Sequence, residues 1–430
     1  MKSHDRLTIV FSQARQNWRA FSCAMQVHEN HYTKRAGVAG VRGRAQRRTL
    51  GPKCLQEKKL TFIFQLDLSA KNKGNQMAEN GPIEDLAKRI SEDLLSRFKW
   101  QQHGPCDQDF LCDDEAKHKP EGKKQKHTHP VDVVFSYKDP YLNKLIYLNT
   151  DLKSYKAGSI NASKIESALD SLAKTIECAR YSLEWSDKYN FSQIDSEVRG
   201  LLFVFNHDNQ LQHDFHEFFN PPKPDKGRRD KAVNLEKIPL STGQQIHIID
   251  PFIINYMLAI TNDMNDLIAK KEFPDEDYGF YYPQLNFHKV AVTEKYLPAT
   301  IEVLSSPFMI IKHGAVFKFD RAKRIEQEVY PEGFVVYYNR KGNSDNEFFY
   351  LLDILSNYQI LDGVNKIRIR LAYREKDERI LSHFRRGVEK YAHEYGLDEE
   401  AKNRLEDLDV KVVSTVKEFF SAEVISWEPK

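Results

Sequence analysis

The stretch HPVDVVFSYKDPYLNKLIYLNTDLKSYK, residues 129–156, holds two apolar segments that a short polar turn separates. The first segment contains Asp132, and the second leads into Asp151, Leu152 and Lys153. Apolar runs of this length around a turn that contains Asp and Pro predict two neighbouring β-strands. Burying a carboxylate costs free energy unless it is paired or binds a metal, so we expect acids on adjacent strands to have such a partner.

Helices and strands alternate around this stretch. Apolar residues at three- and four-residue steps predict an amphipathic helix over residues 83–99 and another over 163–185. Apolar runs predict further strands at residues 109–112 and 201–205. With the two strands of the opening stretch, the predicted order is α-β-β-β-α-β, an α/β fold.

The C-terminal part of the sequence repeats the alternation of strand and helix. Apolar strands at residues 334–338 and 367–371 are each followed by a helical pattern. Strands separated by helices predict a small parallel or mixed sheet that helices cover. Before this part, residues 220–231 are rich in Pro and charge and predict an exposed linker.

The acids of the opening stretch resemble the motif of the PD-(D/E)XK nuclease superfamily. One predicted helix carries Glu84, one strand carries Asp132, and the next strand ends in a D-x-K sequence formed by Asp151 and Lys153. The order of these residues and the αβββαβ succession are those of the restriction-endonuclease-like core. The resemblance covers about residues 81–210, and its proline stands one residue further from the first acid than is usual.

This resemblance implies a metal-dependent phosphodiester hydrolase. Asp132, Asp151, the backbone carbonyl of Leu152 and Glu84 would bind Mg²⁺, a hard cation that prefers oxygen ligands, and Mn²⁺ could substitute. The ion would lower the pKa of a water molecule and neutralise charge on the phosphate. Residues two apart in a strand face the same side, so Lys153 would lie beside Asp151 and act on the water or the phosphate. The expected catalytic residues are Asp132, Asp151, Lys153 and Glu84.

Purely structural roles stay open for the same residues. Asp151 and Lys153 could form an ordinary surface ion pair, and Asp132 could cap a turn. Glu84 lies in the first turn of its predicted helix, where the helix dipole favours any acid. Glu92, two turns further on, is a weaker candidate for the role of Glu84.

Three other groups of residues could bind ligands. Zinc could bind cysteines and histidines around the polar loop at residues 113–129, but their spacings match no common zinc motif, so a solvated loop is the better interpretation; they are Cys106, Cys112, His118, His127 and His129. Basic residues near the second helix could contact phosphates or form its solvated side; they are Lys156, Lys164, Lys174 and Arg180. A third cluster has no accompanying nucleophile and predicts a surface turn and helix start; its members are His207, Asp208, His213, Asp214 and His216.

The first part of the chain differs in composition from the rest. Residues 1–60 contain 13 Lys or Arg and 3 Asp or Glu, a net charge of +10, which leaves −8 for residues 61–430. Periodic patterning begins after Met77. We therefore expect residues 1–76 to be a basic leader that is disordered or follows a mis-assigned start, with a phosphate-binding arm as the alternative.

The sequence offers no sign of a membrane or secretory protein. It has no run of 18 apolar residues and no secretory signal, and its five cysteines are scattered. We therefore expect a cytoplasmic protein without membrane contact. The expected regions are the leader at 1–76, the nuclease core at 77–219, a linker and helical/strand extension at 220–315, and a C-terminal α/β domain at 316–430.

The expected function is hydrolysis of phosphodiester bonds, with DNA as the substrate and RNA as a possible one. A nuclease core beside a further domain looks like bacterial anti-phage effectors, which is the role we expect. The acidic balance after residue 76 argues against strong DNA binding by the protein alone and favours a steered, partner-dependent or locally basic site. We expect a protein partner or oligomer that regulates activity. Two alternatives stay open: a non-catalytic, nuclease-like subunit for nucleic-acid binding or assembly, and an RNase on the same fold.

Overall fold

The computed structural model describes residues 61–62, 90–118, 128–221, 231–283, 296–320 and 324–414. These residues form a mixed α/β structure whose strands lie in two main sheets and two two-stranded ribbons. Glu84, His127 and most of the predicted leader and linker lie outside the described residues. Within the described ranges, no helix has the length and apolar character needed to cross a membrane.

The strands follow the chain from β1 to β15: β1 (Thr61–Phe62), β2 (Gln101–His103), β3 (Gln108–Leu111), β4 (Thr128–Val131), β5 (Val133–Asp139), β6 (Lys144–Tyr155), β7 (Ser196–Asn206), β8 (Ile246–Ile249), β9 (Tyr278–Phe280), β10 (Phe308–His313), β11 (Val316–Asp320), β12 (Ile325–Tyr330), β13 (Gly333–Tyr338), β14 (Lys366–Leu371) and β15 (Asp409–Val412). The α-helices are α1 (Glu115–His118), α2 (Ala162–Ala179), α3 (Leu183–Tyr189), α4 (Pro251–Ala269), α5 (Ile301–Leu304), α6 (Asp345–Asn357), α7 (Ile380–Tyr395) and α8 (Glu399–Glu406).

The first main sheet has the strand order β1-β8-β7-β6-β5-β2. Strands β5 and β6 are antiparallel, as the turn between their sequences predicts, and β6 pairs in parallel with β7. The last pairing of β5 joins Val133 to Thr150, whereas β6 continues to Tyr155. One edge of β6 is therefore free of β5 over its final residues, and the D-x-K sequence lies there.

The predicted strand at residues 109–112 exists, but it does not belong to this sheet. It is β3, which pairs with β4 in an antiparallel ribbon of its own. The third antiparallel strand of the main sheet is the short β2, which the sequence did not predict. The chain leaves the ribbon at Asp132, where β4 ends and β5 begins.

Helix α2 covers the sheet and is shorter than predicted. Its N terminus is capped by the Asn161 side chain, which accepts a hydrogen bond from the Lys164 backbone N–H. The apolar side chains at three- and four-residue steps are buried as predicted, but Tyr181 is 65% exposed. The helix ends at Ala179 because Ser182 caps a new short helix, α3.

The helix predicted at residues 83–99 is described only from Ile90. It consists of a π-helical turn, Ile90–Leu94, followed by a 3-10 turn, Leu95–Phe98. Ile90, Leu94 and Phe98 are buried, as their spacing predicts.

The second main sheet has the order β15-β14-β13-β10-β9. The predicted strands at residues 334–338 and 367–371 are β13 and β14, and they pair in parallel in this separate sheet. Helix α4 packs between the two sheets. Successive residues of β13 alternate between two hydrophobic cores: one contains the apolar side chains of α4, and the other contains those of α6 and α7. The expected domain boundaries stay a prediction. Strand β10, which we expected in the extension at 220–315, pairs with β13 in this second sheet. Thr61–Phe62, from the expected leader, pair with β8 of the first sheet.

Candidate active site

Asp132 lies at the break between β4 and β5, and hydrogen bonds fix both its backbone and its side chain. Its backbone carbonyl accepts from the Asp107 N–H at 2.8 Å. Its carboxylate Oδ2 accepts from the Leu152 N–H at 2.6 Å. The Leu152 N–H lies on the edge of β6 that β5 no longer covers. The Asp132 carboxylate therefore accepts the hydrogen bond that a backbone carbonyl of β5 would accept if the two strands stayed paired.

Asp151 and Lys153 lie two residues apart on β6, and their side chains meet, as the strand period predicts. The Lys153 Nζ lies 2.7 Å from the Asp151 Oδ1. The Asp151 side chain is 18% exposed and that of Lys153 is 37% exposed. The pair is therefore neither on an open surface nor fully enclosed.

These three side chains line a cleft of about 380 Å³ between the sheet and helix α2. The strands contribute its floor and α2 contributes a wall of small and polar residues. The lining residues are Pro130, Asp132, Asp151, Lys153, Tyr155, Lys164, Ser167, Ala168, Ser171, Leu172 and Thr175. Two acids and two lysines thus converge on one concave surface, as in ligand sites generally.

The surroundings of Asp132 in the cleft disfavour the charged form of its carboxyl group. Burial and the neighbouring Asp151 charge raise the pKa of Asp132 from 3.8 to about 8, although Lys153 and the Leu152 N–H lower it. Burial lowers the pKa of Lys153, but Asp151 and Asp132 outweigh that effect and the net pKa is raised. The Lys153 charge therefore offsets part of the negative charge of the two carboxylates, and the pKa of Asp132 stays raised.

The geometry suits a divalent cation with oxygen ligands. Asp132 and Asp151 offer carboxylates from adjacent strands. A strand residue directs its N–H and C=O to the same neighbour, so the Leu152 carbonyl faces Asp132, as its N–H does. Glu84 lies outside the described residues, and Glu92 is exposed and is not a lining residue of the cleft.

Of the four basic residues near the second helix, Lys164 lines the cleft. Its Nζ lies 4.5 Å from the centroid of the Tyr155 ring. Lys174 instead pairs with Asp170 at 2.7 Å, while Lys156 and Arg180 are exposed. Lys164 is therefore the member of this group best placed to meet a ligand in the cleft.

The cluster at residues 207–216 forms a surface turn and helix start, as expected. Asp208 accepts from the Ala157 N–H at 3.0 Å, and Asp214 caps the 3-10 turn Phe215–Phe218. The Nδ1 of His207 lies 2.5 Å from the Ser154 Oγ.

The solvated-loop interpretation is wrong for three of the five Cys and His candidates. Cys112, His118 and His129 are buried, and their side chains converge with that of Cys178. Cys106 does not belong to this cluster and lies near Gln102. Cys178 was missed because it lies on α2, far along the sequence from the other three.

The mixed sheet, the helix across it and the paired acids before a lysine are consistent with the PD-(D/E)XK nuclease fold. Residues 77–252 match the family model of the GAPS4 protein PD-(D/E)XK nuclease domain. The match begins at Met77 and includes the whole first main sheet except Thr61–Phe62. No curated protein and no solved structure matched the chain.

Proposed function

We propose that this protein is a Mg²⁺-dependent nuclease that hydrolyses phosphodiester bonds in DNA, with Asp132, Asp151 and Lys153 as its catalytic residues. The single observation that carries the proposal is the convergence of these three side chains in one cleft of a PD-(D/E)XK domain. The βββαβ succession β2, β5, β6, α2 and β7 supports the αβββαβ core, whose first helix is in part outside the described residues.

The two carboxylates would hold the metal. Asp132 and Asp151, with the Leu152 carbonyl and Glu84 as further ligands, provide the hard oxygen donors that Mg²⁺ prefers, and Mn²⁺ could substitute. Bound Mg²⁺ would lower the pKa of a water molecule and offset negative charge on the phosphate. The raised pKa of Asp132 supports this assignment, because the charge of a bound cation would offset the effects of burial and of Asp151 that raise it.

The two lysines of the cleft would act on the substrate. Lys153, held by Asp151 at 2.7 Å, keeps its ammonium charged and positioned beside the acids, where it orients the attacking water or stabilises the phosphate. Lys164 stands on the opposite wall of the cleft and would contact a neighbouring phosphate. The Lys153 charge counts most in the transition state, and the Lys164 charge counts for binding.

We further propose a role in anti-phage defence in the cytoplasm, on the resemblance to GAPS4 nuclease domains. A nuclease active against host DNA needs control. The net charge of −8 over residues 61–430 disfavours tight DNA binding by this part of the chain alone. A protein partner or oligomer that supplies positive charge or opens the cleft would provide that control.

The test is cleavage of plasmid DNA and of RNA by the full-length protein with Mg²⁺, Mn²⁺ or EDTA. We expect metal-dependent DNA cleavage, lost in Asp151→Asn and Lys153→Ala and retained in Lys174→Ala. Lys174 is the matched control because it is also paired with an aspartate but does not line the cleft. Cleavage of RNA alone would favour the RNase alternative, and metal-independent DNA binding without cleavage would favour a non-catalytic subunit.

A further inference from the structure

The four buried residues Cys112, His118, His129 and Cys178 come from four separate elements. Cys112 follows β3, His118 ends α1, His129 lies in β4, and Cys178 lies in the last turn of α2. Their sulfur and nitrogen ligand atoms all lie within 4.8 Å of one another. The cysteines do not form a disulfide. We propose that these residues form a structural zinc site, separate from the carboxylate cleft.

The separations within the cluster match tetrahedral coordination. Zinc with Zn–S bonds of about 2.3 Å and Zn–N bonds of about 2.05 Å places S–S, S–N and N–N pairs about 3.8, 3.6 and 3.4 Å apart. The two sulfurs are 3.9 Å apart. The His118 Nδ1 is 3.3 Å from the Cys112 sulfur, 3.4 Å from the Cys178 sulfur and 3.3 Å from the His129 Nε2.

The outer hydrogen bonds fix which ring nitrogens face the centre. The His118 Nε2 lies 3.2 Å from the Glu177 carboxylate, which can only accept, so this nitrogen carries the proton. The Thr175 hydroxyl donates to the Ser171 carbonyl at 3.0 Å and therefore accepts from the His129 Nδ1 at 3.5 Å. Histidines that bind zinc in proteins are oriented in this way by carboxylate or oxygen partners on the other nitrogen.

With these tautomers the two inner ring nitrogens are lone-pair donors to a metal. The His118 Nδ1 and the His129 Nε2 are 3.3 Å apart and face the two sulfurs. Both rings are almost fully buried, at 2% and 1% exposure. A cation between them would bind both lone pairs, with two thiolates to balance its charge.

Ligand chemistry identifies the metal. Two cysteines and two histidines in a closed, buried set are typical of structural Zn²⁺, whereas Mg²⁺ prefers carboxylate and water oxygens. A structural ion here would join the β3–β4 ribbon to helix α2. Glu177 extends the connection, since it also bonds to Lys117 and to the Ser241 hydroxyl.

The decisive measurement is metal content of the full-length protein, expressed with zinc and purified under reducing conditions. We expect about one zinc per chain by mass spectrometry of the metal, and visible absorption of tetrahedral, thiolate-bound Co²⁺ after substitution. Cys178→Ser should lower zinc content by about tenfold or more. Cys106→Ser is the matched control, since this cysteine lies outside the cluster, and it should keep its zinc.

Two further variants distinguish zinc bound by this cluster from zinc bound in the carboxylate cleft. Glu177→Gln keeps all four ligands and should fold, but it should lose zinc to a competing chelator about tenfold more readily. Asp151→Asn should keep its zinc, because the carboxylate cleft is a different site. Folded, soluble wild-type protein without zinc or a Co²⁺ spectrum would overturn the proposal, as would equal zinc in wild type and Cys178→Ser. Zinc that disappears in Asp151→Asn would also overturn it, because the ion would then lie in the cleft.

Discussion

Neutralising Asp132 should make the metal-free protein more stable while removing its response to Mg²⁺. In Asp132→Asn the amide oxygen can still accept the Leu152 N–H, so the main structural contact of the side chain is kept. What the substitution removes is a carboxyl group that burial and Asp151 disfavour in its charged form. The variant therefore isolates the electrostatic cost of the site from its geometry.

The magnitude follows from the pKa of Asp132. Its raised value, from 3.8 to about 8, means that the folded protein holds a proton that the unfolded chain has lost across this range. The free energy of unfolding of the metal-free protein therefore falls as pH rises from about 4 to about 8, by at most about 1.4 kcal/mol per pH unit. At pH 7 the upper limit is roughly 4 kcal/mol, and since the residue is partly exposed to water we expect about 2 kcal/mol.

Mg²⁺ should reverse this cost in the wild type. Binding requires the deprotonated carboxylate, so Mg²⁺ affinity should increase between pH 6 and pH 8 and binding should release a proton. An ion at about 100 times its dissociation constant would stabilise the protein by about 2.7 kcal/mol. Asp132→Asn should lose this gain at every pH.

The assay is urea unfolding of metal-free and Mg²⁺-loaded protein at a series of pH values, followed by circular dichroism. Asp170→Asn is the matched control, because Asp170 pairs with Lys174 on α2 away from the cleft and should change stability by less than about 1 kcal/mol. A wild-type pH profile and an intact Mg²⁺ effect in Asp132→Asn would refute the reasoning. Asp132 would then have only a structural role, at the junction between β4 and β5.

Three further predictions concern other parts of the chain. Lys153→Ala should keep most of the Mg²⁺ stabilisation but lose cleavage by about 100-fold or more in single-turnover assays, because lysine acts on water or phosphate and not on the ion; parallel loss of both would contradict this. Removing residues 1–76 should leave soluble, active protein, and loss of soluble protein would rule out a dispensable leader. Asp263→Ala should lower the free energy of unfolding by about 3 kcal/mol, because it leaves the buried Arg370 without one of its carboxylates, whereas Asp266→Ala, from an exposed pair, should change it little.

Local patterns predicted strands β5, β6 and β7 of the first sheet and the helix between β6 and β7, but not β2 or β8, and not where every strand would pair. The apolar run after His129 and the run before Asp151 have a turn between them, so their antiparallel pairing follows from the sequence. Nothing in the run at residues 109–112 distinguishes a strand in the main sheet from one in a separate ribbon, since both bury one face. The end of α2 at Ala179 depends on the Ser182 cap, a signal present in the sequence but weaker than the apolar period that continues past it.

The proximity of Asp151 and Lys153 was predictable because their two-residue spacing places both side chains on one side of a strand. The Cys and His cluster was not, because its fourth member comes from a helix and its spacing matches no short motif. Short motifs contain only ligands that lie near one another in the sequence. Cys178 could have been found from its helical spacing, because it follows Leu172 and Thr175 on the buried face of α2, and both of those residues line the cleft.

The two proposed metal sites meet in the short segment from His129 to Asp132. In the described structure β4 pairs with β3 and not with the main sheet, so the ribbon alone does not fix the height of Asp132 above β6. The Leu152 N–H holds the Asp132 carboxylate from one side, and the Asp107 N–H holds its backbone from the other. Zinc bound by His129, three residues earlier, would fix the ribbon against α2, whose Thr175 contacts His129 and also lines the cleft. The zinc site, whose four protein ligands leave no open position, would thus help to position the Asp132 carboxylate in the Mg²⁺ site, which has to stay open to substrate.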